Sequence, residues 1–163
     1  MSEKKKKGLS TKTILIIIAI VVVVAVAVWA ILTFAVPKKE EGAIKIGHIA
    51  PMTGAIAAYG TAVDNGVNLA VSEINEAGGI LGRSAEVILK DNQFDVAETV
   101  SAFNALLSED VVAIIGAVAS SRTSAITSLA NDEGVVLITA TSTADTITTE
   151  DDYVFRACFK DSF

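Results

Sequence analysis

The sequence predicts an α/β fold, a doubly wound parallel sheet preceded by one transmembrane helix. Three observations predict it. A run of 23 residues without a charge, Ile14 to Val36, precedes an acidic, water-compatible stretch. That stretch alternates short strand-like apolar runs with longer segments that are apolar at helical spacing. The connections are short, and such alternation calls for a parallel sheet with helices on both faces.

The 163-residue chain begins with Lys4, Lys5, Lys6, Lys7 and Lys12 against a single acid, Glu3. A helix needs about 20 apolar residues to cross the hydrocarbon core. Lipid also forces it to satisfy its backbone internally, so the many Val and Ile residues are no obstacle. Cationic flanks stay cytoplasmic, which puts the amino terminus inside and Gly42 onward outside. The expected division is a cytoplasmic basic segment at 1–12, a transmembrane anchor or signal-anchor at 13–36, a linker at 37–42 and an extracytoplasmic domain at 43–163. A cleaved secretory signal is the alternative, but its apolar region usually runs about 7–15 residues. Gly8-Leu9-Ser10 behind the lysines resembles a class III, pilin-like signal, which implies cleavage after Gly8 with the helix retained. Cys158 lies far from the apolar run, so there is no lipobox.

Within the domain, Ala43–Ala50 alternates and reads as a strand, broken by Pro51-Met52-Thr53-Gly54. Gly60–Ala77 carries Ala62, Val67, Ala70, Val71 and Ile74 near helical spacing, and Gly78-Gly79 ends it. Ala85–Lys90 is a second strand. Val96–Leu107 is a second helix with Val96, Val100, Phe103 and Leu107 on one stripe. Val111–Ile115 is wholly apolar, as in a strand buried on both faces. A third helix is expected at Thr123–Asn131, a fourth strand at Val135–Ile138, a helical turn at Thr146–Glu150 and a fifth strand at Tyr153–Phe159.

From Pro37 onward the chain holds eight basic and eighteen acidic residues. Such a surface repels phosphate, so no nucleic-acid partner is expected. One cysteine excludes an internal disulfide and a multi-cysteine metal site, and Cys158 is expected as a small core side chain on a strand. His48 has no second His or Cys near it and reads as a structural strand histidine, because zinc needs three or four ligands. Asp91 and Asp95 are expected to start the second helix through its dipole, and Arg156 with Asp161 to form a solvated pair.

Ligands of open parallel sheets bind beyond the carboxyl ends of the strands. Those positions hold Pro51 to Gly54 with Tyr59-Gly60, then Gly116 to Ser121, then Thr139 to Thr143. They offer hydroxyls, amides and one tyrosine, and no His–Asp pair, close acid pair or activated nucleophile. That inventory suits holding an anionic or zwitterionic ligand, since amides at a helix start favour carboxylate and hydroxyls orient it. Ser120 or Ser121 also suits capping of the third helix. Thr141, Ser142 and Thr143 also suit an ordinary turn. No GxGxxG, P-loop or G-x-S-x-G elbow occurs, and no enzyme activity, cofactor or metal is expected.

The motifs in series are strand-P-M-T-G, then Y-G at Tyr59, then E-I-N-E-A-G-G-I from Glu73, then I-I-G-x-x-x-S-S from Ile114. A Thr/Ser-rich turn and F-R-A-C-F from Phe155 follow. From about Ile44 to Phe163 this series resembles the opening of the Leu/Ile/Val-binding family of type I periplasmic binding proteins. The resemblance implies the first lobe of a two-lobe clamshell that captures a small amino acid and presents it to the permease of an ABC importer. It places ligand contacts on Ser120, Thr141 and Thr143, with Tyr59 on the rim, and Ser121 and Ser142 in the same loops are expected to bind the ligand with them. It also implies a second lobe after Asp161-Ser162-Phe163, so the chain is expected to be a fragment. A ligand-sensing receptor ectodomain, or a binding protein for amides or urea-like solutes, is the alternative. Ala55 and Ala140 stand where the family often has proline, and Arg122 is bulkier than the small residue expected there.

Overall fold

A computed structural model describes residues 11–30, 42–149 and 152–163. The lysine cluster, the Gly8 signal, the last six residues of the predicted span and most of the linker lie outside the described residues. The chain divides into two compact units, Met1–Glu40 and Glu41–Phe163. The first contains helix α1, Thr11–Ala30, whose described side chains from Leu15 to Trp29 are all exposed. From Leu15 to Trp29 it is apolar on every side, unlike a helix that lies on a protein surface. Its described end falls short of the predicted span at 13–36. Among the described residues no helix is long and apolar enough to cross a membrane.

The second unit is a five-stranded parallel sheet with flanking helices. Its elements are β1 (Ile44–Ala50), α2 (Ala57–Glu76), β2 (Ala85–Asp91), α3 (Val96–Leu107) and β3 (Ala113–Ile115), then α4 (Ser120–Glu133), β4 (Val136–Thr139) and β5 (Val154–Arg156). A single 3-10 turn, Asp145–Ile147, stands where a helical turn at Thr146–Glu150 is expected. Strand order is β2-β1-β3-β4-β5 with every pairing parallel.

Side chains alternate across a strand, so odd and even residues of β1 face opposite layers. Ile49 points into the main core with Ile114, Leu137 and Val154, against Phe103 and Leu106 of α3 and Ile126 and Ala130 of α4. Ile46 and His48 point to the other layer, where α2 packs on β1 and β2. That layer is thinner. Ile138 is 36% exposed and Phe155 is 51% exposed, so the sheet is covered fully on one face and partly on the other.

Local chemistry sets the boundaries. Asp95 caps α3 by accepting from the amides of Ala97 and Glu98, as its place before an apolar stripe predicts. Asp91 does not start that helix, and its carboxylate turns back to β1. The cap of α4 is Ala119, which has no side-chain bond, so neither serine serves as the cap. Helix α2 begins three residues before the expected Gly60. Gly60 is buried there, and a Cβ on it would lie 2.0 Å from the Pro51 carbonyl oxygen. The strand expected at Tyr153–Phe159 keeps only Val154–Arg156. Cys158 lies past its end, half-buried, with its thiol directed at the Ser142 carbonyl, and is not on a strand.

His48 is fully buried. Its Nδ1 lies 3.1 Å from the Ile115 carbonyl, an acceptor, which assigns the proton to Nδ1. Nε2 then faces the Asp64 carboxylate at 3.7 Å, and neither atom has a hydrogen-bond partner. Burial pushes the imidazole below its ordinary pKa, and the Ile115 carbonyl and Asp64 offset this only in part. The unfolded chain therefore takes up the proton first. Stability is full above the unfolded value of about 6.5 and falls as pH drops below it, by at most about 1.4 kcal/mol per unit for one proton. Urea midpoints taken from pH 7.5 to 5.5 should decline, and His48→Leu should flatten that decline. An equal slope in the variant would place the effect elsewhere.

Candidate functional site

Strand β1 feeds β2 on one side, and the chain then crosses to β3 on the other. The order therefore reverses between β1 and β3, and a crevice opens there beyond the carboxyl ends of the strands. Four loops meet at that end, following β1, β2, β3 and β4. They border a shallow depression of about 350 Å³ lined by Ile56, Tyr59, Phe94, Val118, Ala119 and Thr141.

Each loop is fastened to a neighbour. After β2, the Asp91 carboxylate accepts from the Met52 amide at 2.9 Å, the Thr53 hydroxyl at 2.6 Å and the Gln93 amide at 2.8 Å. Burial alone would raise its pKa, but these hydrogen bonds outweigh it and hold the carboxyl below its usual value. Gln93 and Phe94 both take left-handed backbone, with φ of 50° and 58°. Arg122, on the first turn of α4, reaches that loop. Its Nε donates to the Phe94 carbonyl at 3.0 Å, and its guanidinium lies 3.6 Å from the centre of the Phe94 ring.

After β3, Gly116 passes so close to β1 that a Cβ would lie 2.6 Å from the Ile49 carbonyl oxygen. Val118 has φ of 71°, which is costly for a β-branched residue, on the order of 1–3 kcal/mol. The Thr141 hydroxyl donates to the Val118 carbonyl and so joins the β3 and β4 loops. Helix α4 then starts at Ser120. The Arg122 and Thr123 amides both donate to Ala119, and among the described residues no acceptor meets the amides of Ser120 and Ser121. First-turn amides of this kind form a positive, donor-rich end.

The expected residues do not all meet. Tyr59, 68% exposed, and Thr141 line the depression. Ser120 follows Ala119 on its border, and its hydroxyl accepts from the Ala144 amide at 3.3 Å. The Ser121 hydroxyl accepts from Arg122 at 2.8 Å. Thr143 is half-buried, and among the described residues its hydroxyl has no protein partner. Ser142, expected on the ligand side, turns inward. It is fully buried, with hydrogen bonds to Thr139 at 2.8 Å and Thr123 at 2.7 Å.

Arg156 also departs from expectation. It does not pair with Asp161. Its guanidinium donates to the carbonyls of Ser142, Thr143 and Ala144 and to the Thr148 hydroxyl, which fixes the β4 loop from below. Sequence reading missed Ile56 and Phe94 altogether. A lone phenylalanine in the polar run Asp91-Asn92-Gln93-Phe94-Asp95 was the available signal. No group of three or more potential metal ligands occurs among the described residues.

The arrangement can hold one small polar group and one apolar group side by side. Amides and hydroxyls of the α4 start and the β4 loop suit a carboxylate. The aliphatic and aromatic lining suits a hydrocarbon side chain.

Comparison with known proteins gives consistent results. The family described as Periplasmic binding protein matches residues 43–162. The Leu/Ile/Val-binding protein BraC3 of Rhizobium johnstonii is 38% identical over 119 residues, covering 72% of this chain and 32% of that protein. The leucine-, isoleucine-, valine-, threonine-, and alanine-binding protein of Pseudomonas aeruginosa is 36% identical, covering 73% of this chain and 32% of that protein. The branched-chain amino acid transporter substrate binding protein LivJ from Streptococcus pneumoniae, solved with isoleucine, has a TM-score of 0.70 and 43% identity. That likeness covers 74% of this chain and 35% of LivJ. The chain thus spans about a third of the length of the curated relatives it matches.

Proposed function

Because the chain belongs to the periplasmic binding protein family, we propose that it is the extracytoplasmic solute-binding component of an ABC importer. Its ligand in this reading is a branched-chain or other small amino acid, which Tyr59, Ser120, Ser121, Thr141 and Thr143 contact. Ser142 contributes by anchoring the loop that carries Thr141 and Thr143. One observation carries the reading. Uncommitted amides at Ser120 and Ser121 adjoin an apolar depression at the crevice between β1 and β3. That juxtaposition matches the carboxylate and the side chain of one amino acid. The names of the relatives, which bind leucine, isoleucine and valine, agree with it. No reaction is proposed, since among the described residues the depression joins no nucleophile to a base.

Titration of leucine, isoleucine and valine into the chain, followed by amide NMR shifts, tests the site. Shifts should centre on Tyr59, Ser120, Ser121 and 141–143. Ser120→Ala and Thr143→Ala should each weaken binding by about 1–3 kcal/mol, the cost of an unpaired polar group, with the spectrum away from α4 and the β4 loop unchanged. Absence of any shift at these residues would remove the reading.

The partner of the loaded protein is then a permease in the membrane. The proposed mode of retention is the anchor at 13–36, supported by the 23 uncharged residues from Ile14 to Val36 behind five lysines. Membrane fractionation should find the chain in the pellet after a salt wash. A soluble product with a new amino terminus beyond about residue 27 would replace the anchor with a cleaved signal.

A further inference from the structure

Phe94 and Arg122 form a unit that the amino acid reading does not require. The two residues lie 28 positions apart, in the β2 loop and on α4, and meet only through the fold. Arg122 covers one face of the Phe94 ring, while the ring also lines the depression with Ile56, Tyr59 and Val118. Two guanidinium nitrogens donate to the Phe94 carbonyl and a third to the Ser121 hydroxyl, so the arginine is held flat against the loop. Planar arginine suits this combined stacking and forked bonding, and lysine does not. Among the described residues no carboxylate lies within ion-pair distance of Arg122. It therefore has no acidic partner there, and it lies 3.6 Å from the centre of a ring that lines the depression.

We infer that Phe94 and Arg122 together form the selectivity wall of this site, favouring ligands with a bulky apolar side chain and turning away cationic ones. This deepens the amino acid reading and rests on it. The ring supplies hydrocarbon contact beside Tyr59. The guanidinium repels an ammonium or second guanidinium brought into the same space. It also draws the electrons of the ring toward its own face.

The test titrates the full chain in detergent with leucine, phenylalanine and lysine, read at the Thr141 and Ser120 amides. Leucine and phenylalanine should bind at least tenfold more tightly than lysine. Arg122→Gln should reduce that preference about tenfold, the scale of one like-charge contact screened nearly as in bulk water. Arg122→Lys keeps the charge but not the stack, so it should retain the rejection of lysine while weakening leucine several-fold. Phe94→Ala should weaken leucine and phenylalanine and leave the rejection of lysine in place. A purely structural role would lower all three ligands alike in every variant, and that pattern overturns the wall. Normal binding with a preference unchanged in Arg122→Gln also overturns the wall and leaves the amino acid site standing. If none of the three ligands shifts Thr141 or Ser120 in the unaltered chain, the site and the wall fall together.

Discussion

Phe103→Ala is expected to destabilise the second unit by about 3–5 kcal/mol, the range for emptying a buried aromatic site. Phe103 is fully buried on α3, in the cluster that includes Ile49, Leu106, Ile114 and Leu137. Three strands contribute to that cluster besides β1, so the void would sit where sheet and helices meet and would not collapse from one side. Domains of this kind are stable by only about 5–15 kcal/mol, so the loss takes a large share. With a urea dependence near 1.5 kcal/mol per molar, the midpoint should fall by about 2–3 M at unchanged slope. A shift below about 1 M would mean that the cluster does not hold α3 to the sheet.

Gly60→Ala is expected to cost about 3 kcal/mol, the upper end for overpacking. Alanine usually favours a helix over glycine by about 1 kcal/mol, so the sign itself is diagnostic. The added Cβ would lie 2.0 Å from the Pro51 carbonyl oxygen, with the Pro51 ring 3.1 Å away. Neither neighbour is the flexible end of a side chain, so the first turn of α2 must lift from the β1 loop. That turn carries Ile56 at its cap and Tyr59, two walls of the depression. The urea midpoint should fall, and the shift at Tyr59 that the proposed reading expects from leucine should vanish with it. A stabilised variant would show that α2 does not seat on Pro51 in solution.

These two positions also show what could be read in advance. Phe103 was legible because it shares a stripe with Val100 and Leu107 behind a capping aspartate, and α3 has the expected bounds, but Val96 of that stripe is exposed and Leu106 beside it is buried instead. Gly60 was not, because a glycine at the head of an apolar stripe reads as a break, and its buried contact with Pro51 exists only in the fold. Ser120 and Ser121 read as loop or cap for the same reason, though they form the first turn of α4. In the site, the hydroxyl-rich loops were legible as chemistry. Ser142 and Thr143 are adjacent and alike in sequence, and only the buried partners Thr139 and Thr123 distinguish the inward residue. Arg156 read as a surface charge because the loop carbonyls it gathers lie 12 to 14 residues away.

The loops around the depression are fastened before any ligand arrives. Asp91 joins the β1 and β2 loops, Arg122 joins the β2 loop to α4, Thr141 joins the β4 and β3 loops, and Arg156 braces the β4 loop. A ligand therefore meets a surface with little left to order on contact. Ligands of similar size should arrive at similar rates, and discrimination among them should lie in how long each one stays. Cutting one fastening should shorten residence while leaving arrival almost untouched.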